Sequence, residues 1–421
     1  MNTLEPDFTK LPVFSLKERD RRWKLANDLM ENNNLDCLIV YGDREGSFPA
    51  PFSPDTYLTN DRPGSIVIFP KNGEPIALVI IVTVIEDHIQ AKRYNKQQGW
   101  LKPENMYVGK MGSMVVQVLE DRGLDKCNIG VVGLEAYPPF YFDGTMPYNT
   151  WDSIKDGLPH ATFTSVGREF MDMTFVKSEE ELEVYKWSAN IGEQMCQAML
   201  DTARAGVRES EVYSAAVATS AKYAGITSVL LMGSGPEYVG WGAPAWTYRP
   251  EEPRILEEGD ILLSEVFSGF GMLESQCQPA IAIGKIHPDF EVAAKIARKS
   301  YENGVAMLRD GVTFGEVVEA MNEPMNTIEC GQVHPLVHSI SPFGLIGAGN
   351  NRIHLEEFEN YGQVLDIPSI GADMVLREGM VFALEPNCAI GSKVINLGGT
   401  VVVGKEKGIE LNTLSTHLMR V

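Results

Sequence analysis

Gly259-Asp260-Ile261-Leu262-Leu263-Ser264-Glu265-Val266-Phe267-Ser268-Gly269-Phe270-Gly271-Met272-Leu273-Glu274-Ser275-Gln276-Cys277-Gln278-Pro279 decides how the chain folds. It predicts two strands, Ile261 to Phe267 and Met272 to Ile283, joined by a Ser-Gly-Phe-Gly turn. Apolar and polar residues alternate with a period near two. One face therefore carries Glu265 and, across the turn, Glu274, Gln276 and Gln278. Acidic and amide groups on one face of a hairpin are either a solvated surface or a site. The rest of the chain favours the site.

At 421 residues the chain has room for two or three domains and a large core. A net charge of −21 and the absence of a basic run argue against nucleic acid or an anionic membrane as partner. No apolar run reaches the 18 residues expected of a spanning helix. The first residues, Met1 to Asp7, show neither a basic nor an apolar leader region, so the expectation is a cytoplasmic protein. Cys37, Cys127, Cys196, Cys277, Cys330 and Cys388 are scattered without a CxxC pair. They read as reduced core thiols, not as a disulfide frame or zinc site.

Residues 1–172 read as an α/β unit. An amphipathic helix covers Leu16 to Asn33, strand Cys37–Tyr41 follows, and then a Pro/Gly/Ser-rich loop runs from Gly42 to Asp55. Further strands are expected at Ser65–Phe69, Ile76–Val82 and Asn128–Val132. No GxGxxG follows a strand, which leaves nucleotide binding without support. Residues 173–421 form the second unit. It opens on a capping box at Ser178 and Glu181 and continues with helices over Leu182–Ala205, Ser210–Ala224, Asp289–Leu308 and Phe314–Cys330.

The hairpin resembles the metal hairpin of the pita-bread family, which includes aminopeptidase P, prolidase, methionine aminopeptidase and creatinase. That pattern has a Gly-Asp lead-in, an Asp, and a second Asp eleven residues later. Here Gly259-Asp260 is present, Glu265 stands at the first position and Gln276 at the second. His334-Pro335-Leu336-Val337-His338 is similar to the family's two histidines four apart, and Glu378 to Pro386 to its strand with a ligand Glu, here Glu385. The last ligand Glu is replaced by Gly398 ahead of Gly399-Thr400-Val401-Val402-Val403. The resemblance covers nearly the whole chain. It implies an α+β protein with a creatinase-like N-terminal α/β domain and a duplicated pita-bread catalytic domain.

Two metals need bridging carboxylates about 3.5–4 Å apart. Gln276 and Gly398 cannot supply them, so the expectation is no metal and no cofactor. Creatinase is the member that works without metal. Its Arg-Pro ahead of an N-terminal strand is matched by Arg62-Pro63. The resemblance thus implies a homodimer with Arg62 reaching the neighbouring site to hold a substrate carboxylate, with Arg352 as a second clamp. Creatinase's catalytic His aligns with Tyr248, and its second-strand Glu with Gln278. Tyr248 and Glu265 are then the candidates for proton transfer, Glu385 for holding substrate and His338 for donating to developing charge. Trp241 and Trp246, in the Gly-rich aromatic loop Pro236–Tyr248, suit stacking on a flat or cationic group. Gln276, Gln278 and His334 complete the substrate-binding set.

The resulting expectation is a metal-independent hydrolase or lyase acting on a C–N bond of a small carboxylate-bearing molecule. Three alternatives stay open: a mononuclear metal enzyme on Glu265, His338 and Glu385, an Xaa-Pro peptidase, and a non-catalytic binding protein of the same fold.

Overall fold

The computed structural model describes residues 6–43, 53–94, 99–138, 141–227, 230–237, 239–326, 330–353, 356–362 and 369–421. Most of the expected Gly42–Asp55 loop and the expected last turn before Cys330 lie outside them. The chain divides into two compact units, one running from Val13 to Phe175 and one from Val176 to Val421 together with the leading residues to Pro12. Among the described residues no helix is long and apolar enough to cross a membrane.

The first unit holds α1 (Leu16–Asn32), β1 (Cys37–Tyr41), α2 (Pro54–Thr59), β2 (Ile66–Pro70), β3 (Ile76–Val79), α3 (Val82–Tyr94), β4 (Met106–Val108), α4 (Gly112–Asp121), β5 (Asn128–Val132), α5 (Tyr148–Gly157), β6 (Thr162–Ser165) and α6 (Gly167–Thr174). Its sheet has the order β4-β3-β2-β1-β5-β6. β1, β2 and β3 pair antiparallel, while β5 and β6 add on in parallel beyond β1. Ile39, Ile66, Leu78 and Val131 fill one face of this sheet. The apolar run at Ile76 ends as a strand at Val79 and not at Val82, because Val82 opens α3, a helix with no buried residue.

The second unit holds α7 (Glu179–Thr202), α8 (Glu209–Lys222), β7 (Leu230–Gly235), β8 (Ile261–Phe270), β9 (Leu273–Gln278), β10 (Ala280–Ala282), α9 (Pro288–Met307), α10 (Phe314–Asn326), β11 (Val337–Ser339), β12 (Ile346–Gly347), β13 (Val381–Leu384), β14 (Asn387–Ile390), β15 (Lys393–Asn396), β16 (Gly398–Val402), β17 (Ile409–Glu410) and β18 (Met419–Arg420). The Ser178 hydroxyl accepts from the Glu181 N–H, and the Glu181 carboxylate accepts from the Ser178 N–H. This capping box is worth about 1 kcal/mol to α7. The helices pack as two pairs, α7 with α8 and α9 with α10, around a sheet ordered β12-β11-β13-β16-β9-β8-β10-β18.

The expected hairpin is present with a tighter turn. Phe270 pairs with Leu273, which leaves only Gly271 and Met272 in the loop. Both have positive φ, 55° and 61°, the conformation of a type I′ turn that follows the strands' own twist. β8 is therefore longer than expected. The second strand breaks at Pro279, which has no N–H to give the ladder. The register places Gln276 opposite Phe267 and Glu274 opposite Gly269. Ser268 and Cys277 turn to the other face, where Ser268 donates to the Ser188 carbonyl of α7 and burial and the Cys277 thiol push up the pKa of Cys196. Cys277 is thus a core thiol, as expected.

Candidate functional site

Four neighbouring strands, β9, β16, β13 and β11, run side by side at the middle of the sheet. Gln276 and Gln278 come from β9, His338 from β11, and Glu385 follows β13 directly. Glu265 joins them from β8, on the same hairpin face. Gly398 on β16 pairs with Gln278, so it lies between Gln278 and Glu385. Its lack of a side chain lets the Gln278 amide N–H reach across and donate to Glu385 Oε2 at 3.3 Å.

Several donors of this cluster are already bound within the protein. The Trp241 indole N–H donates to Glu265 Oε1 at 2.7 Å. Gln276 Nε2 donates to Glu274 Oε1 at 3.1 Å. His338 Nδ1 lies 2.9 Å from the Ser339 carbonyl, which requires the proton on Nδ1. The Nε2 lone pair then faces Gln276 Oε1 at 3.1 Å and Glu385 Oε1 at 3.4 Å. Phe343 lies against the imidazole, with ring centroids 4.1 Å apart. The backbone of Gln276 is held by Thr400, whose hydroxyl accepts from its N–H and donates to its carbonyl.

Burial sets the protonation. It pushes the His338 imidazole down to about 4, only partly offset by the Ser339 carbonyl, so the ring is neutral at pH 7. Burial and the neighbouring Glu265 hold Glu385 well above the usual carboxylate range. With the ring neutral, the His338–Glu385 contact at 3.4 Å is not one between opposite charges. Glu265 is raised from 4.5 to about 7 by burial, against the pull of the Trp241 N–H. It alone among the five keeps partial solvent exposure.

Other expected residues stand elsewhere. Tyr248 is 76% exposed at the end of the Ala245–Thr247 turn, and among the described residues no hydrogen bond ties its side chain to the buried carboxyls. Arg249, the next residue, pairs with Glu251. The Trp246 ring packs edge-to-face on Tyr213 at 5.3 Å and joins the apolar core beside α7 and α8. It caps that core and does not stack in the site. Arg62 pairs with Asp87 of α3 in its own unit, so its guanidinium already has a carboxylate. Arg352 is exposed, and part-exposed His334 lies in the segment entering β11. Sequence reasoning missed Phe343, whose contact has no local signature, and the role of Trp241, which is a hydrogen-bond donor more than a stacking platform. A 410 Å³ groove in the first unit, lined by Glu74, Lys102, Glu104, Asn105 and Arg122, contains none of the expected residues. Its charges are partly paired already, Lys102 with Glu74.

With this geometry established, comparison with known proteins gives the lineage. Residues 183–405 match the model of metallopeptidase family M24. The chain belongs to that family. Among similar proteins is an Xaa-Pro dipeptidase of Pyrococcus horikoshii, 20% identical over 339 residues that span 75% of this chain and 87% of the relative. A methionine aminopeptidase of Clostridium acetobutylicum is 23% identical over 225 residues, 53% of this chain and 85% of the relative. The solved X-Pro aminopeptidase of Thermotoga maritima superposes with a TM-score of 0.69 at 16% identity, covering 95% of this chain and 99% of its own. The shared architecture is the pita-bread fold expected from the hairpin.

The family implies a metal centre, and the residues of this chain do not fit one. The His338 nitrogen that would bind metal faces the Gln276 amide oxygen, and the Glu265 and Glu385 carboxyls accept from Trp241 and Gln278. A Cβ on Gly398 would stand 1.9 Å from the Leu384 carbonyl oxygen, so this backbone has no room for a ligand side chain there. Among the described residues, no three His, Cys, Asp or Glu side chains converge as a ligand group.

Proposed function

We propose that this M24 protein hydrolyses a C–N bond in a small molecule using its own carboxyl groups. The observation carrying this reading is the buried cluster in which Glu265, half-ionised near neutral pH, sits beside Glu385, which keeps its proton. A base poised near the working pH next to a carboxylic acid held neutral is the arrangement general acid–base catalysis requires.

In this scheme Glu265, the cluster member in contact with solvent, takes a proton from water as the water oxygen adds to the carbon of the C–N bond. The bond breaks as the nitrogen receives the Glu385 proton, so one water is consumed and the two carboxyls exchange roles. The Trp241 N–H holds Glu265 in place. The neutral His338 imidazole, fixed by Ser339, orients Glu385 through Nε2. A small-molecule substrate suits a site recessed among strands, and dipeptides are candidates because a relative is an Xaa-Pro dipeptidase. A homodimer belongs to the same proposal, on the family resemblance alone.

The test is hydrolysis of a panel of Xaa-Pro dipeptides and small amides by chelator-treated protein, with and without added manganese. Turnover that survives chelation and is abolished in Glu385→Gln, with the melting temperature retained, is the expected result. Unchanged activity in Glu385→Gln overturns the assignment. The second reading, a metal-requiring Xaa-Pro dipeptidase like the relatives, predicts proline release only after manganese is added.

A further inference from the structure

The proposed reaction uses none of the six cysteines, all of them free thiols. The fold nevertheless brings two that are distant in sequence, Cys330 and Cys388, into contact. They flank a short backbone pairing in which the Gly331 N–H donates to the Ala389 carbonyl at 3.1 Å and the Ala389 N–H to the Gly331 carbonyl at 2.8 Å. Side chains alternate along extended chain, so the residues preceding this pair, Cys330 and Cys388, share its opposite face. There the Cys388 S–H donates to the Cys330 sulfur, and both side chains are buried. That bond lowers the Cys330 pKa below the ordinary thiol value and raises that of Cys388, the polarity of an attacking thiol beside a resolving one. The pair also joins the two segments that deliver the site. Val333 is clamped to Asn387, its N–H donating to Oδ1 at 2.6 Å and its carbonyl accepting from Nδ2 at 2.8 Å. Beyond the clamp the two segments carry His338 and Glu385. Cys196 and Cys277 also touch, where α7 packs on β9. Only Cys330 and Cys388 lie on directly hydrogen-bonded backbones, the close approach that a disulfide needs, with Cα atoms about 4.4–6.8 Å apart.

From this juxtaposition we propose that Cys330 and Cys388 are an oxidation site, where a peroxide forms a reversible disulfide that closes the chain segment carrying His338 and Glu385. The Cys330 thiolate attacks one peroxide oxygen and the O–O bond breaks. Cys330 becomes a sulfenic acid, and the other oxygen leaves as water with the thiol proton. The Cys388 sulfur then attacks the sulfenic sulfur, whose hydroxyl leaves as a second water with the Cys388 proton. Two thiols and one hydrogen peroxide thus give one disulfide and two waters. The sulfurs lose two electrons and the peroxide oxygens gain them. A dithiol reductant reverses the reaction by thiol–disulfide exchange. Hydrogen peroxide has only two heavy atoms and reaches buried thiols through local opening of the structure. The disulfide does not depend on the hydrolase reading or on which bond the site cleaves.

The experiment treats the full chain with hydrogen peroxide, alkylates the remaining thiols after denaturation and maps the peptides by mass spectrometry, for wild type, Cys388→Ser and Cys196→Ala. Conversion of the exposed Met111 to its sulfoxide shows that the dose was sufficient. Expected in wild type and Cys196→Ala is the loss of two alkylatable thiols and a cross-linked peptide holding Cys330 and Cys388 of one chain. The melting temperature of the oxidised protein should rise by on the order of 5–10 °C, because the bond closes a long loop in the unfolded chain. Dithiothreitol should reverse both changes, and Cys388→Ser should show neither. Cys330 and Cys388 still alkylated once Met111 is oxidised would overturn the proposal. A Cys196–Cys277 cross-link formed in place of Cys330–Cys388 would do the same, as would a bond between two chains. If Cys388→Ser does not fold, the wild-type peptide map decides by itself. The readout requires no turnover.

Discussion

Replacing Glu265 by Gln tests whether this carboxyl is held protonated by burial. Gln keeps an oxygen for the Trp241 N–H and removes the titration. In the folded protein the Glu265 pKa is raised from 4.5 to about 7. Between those values the unfolded chain has lost a proton that the folded chain retains, so stability falls as pH rises through this window. The full stability is present below about 4.5, and the loss is complete above about 7. At about 1.4 kcal/mol per pH unit the loss sums to roughly 3 kcal/mol. Residual solvent contact at Glu265 makes that an upper value. Glu265→Gln should therefore match wild type near pH 4.5 and be the more stable protein at pH 8. For a unit of this size that upper value corresponds to a gain on the order of 6–12 °C in melting temperature. Melting curves of both proteins at pH 5, 6, 7 and 8 give the answer. A difference that stays constant across that range would refute the burial argument, and with it Glu265 as a base poised near neutrality.

Two further outcomes follow from the same geometry. Trp241→Phe removes the N–H that favours ionised Glu265, so the limb of the kcat/KM profile governed by that base should move to higher pH by about one unit, roughly the worth of a hydrogen bond to a charge. An unmoved profile would exclude Glu265 as the base. Gly398→Ala puts a Cβ 1.9 Å from the Leu384 carbonyl oxygen. Strand β16 must shift to accept it, and thermal unfolding should show a destabilisation of about 2–4 kcal/mol. A melting temperature equal to wild type would show that the backbone has room for a side chain there.

Much of the scaffold is local in origin and was readable. The Ser178–Glu181 cap, the starts of α1 and α7, and the alternation that sets Glu265, Gln276 and Gln278 on one hairpin face follow from side-chain period and capping chemistry within a few residues. The turn was misplaced because Gly271-Met272 adopts left-handed backbone at a non-glycine residue, which composition does not announce. Ile76–Val82 was read too long because an apolar run does not show where its residues leave the sheet.

Residue types alone determined the family pattern and its departures: Glu265 for Asp, Gln276 for Asp, and Gly398 for Glu. What those departures do was decided by the tertiary structure. Trp241 reaches Glu265 only because its loop folds back against β7, the neighbour of β8, and Gln278 reaches Glu385 only because Gly398 lies bare between their strands. Tyr248 and Trp246 have the right chemistry for a site, but exposure and a core contact keep them out of the buried cluster. Protonation was likewise invisible in the chain. A Glu and a His have ordinary pKa values until a low-dielectric interior and a second carboxyl penalise their charges, and that depends on which strands become neighbours.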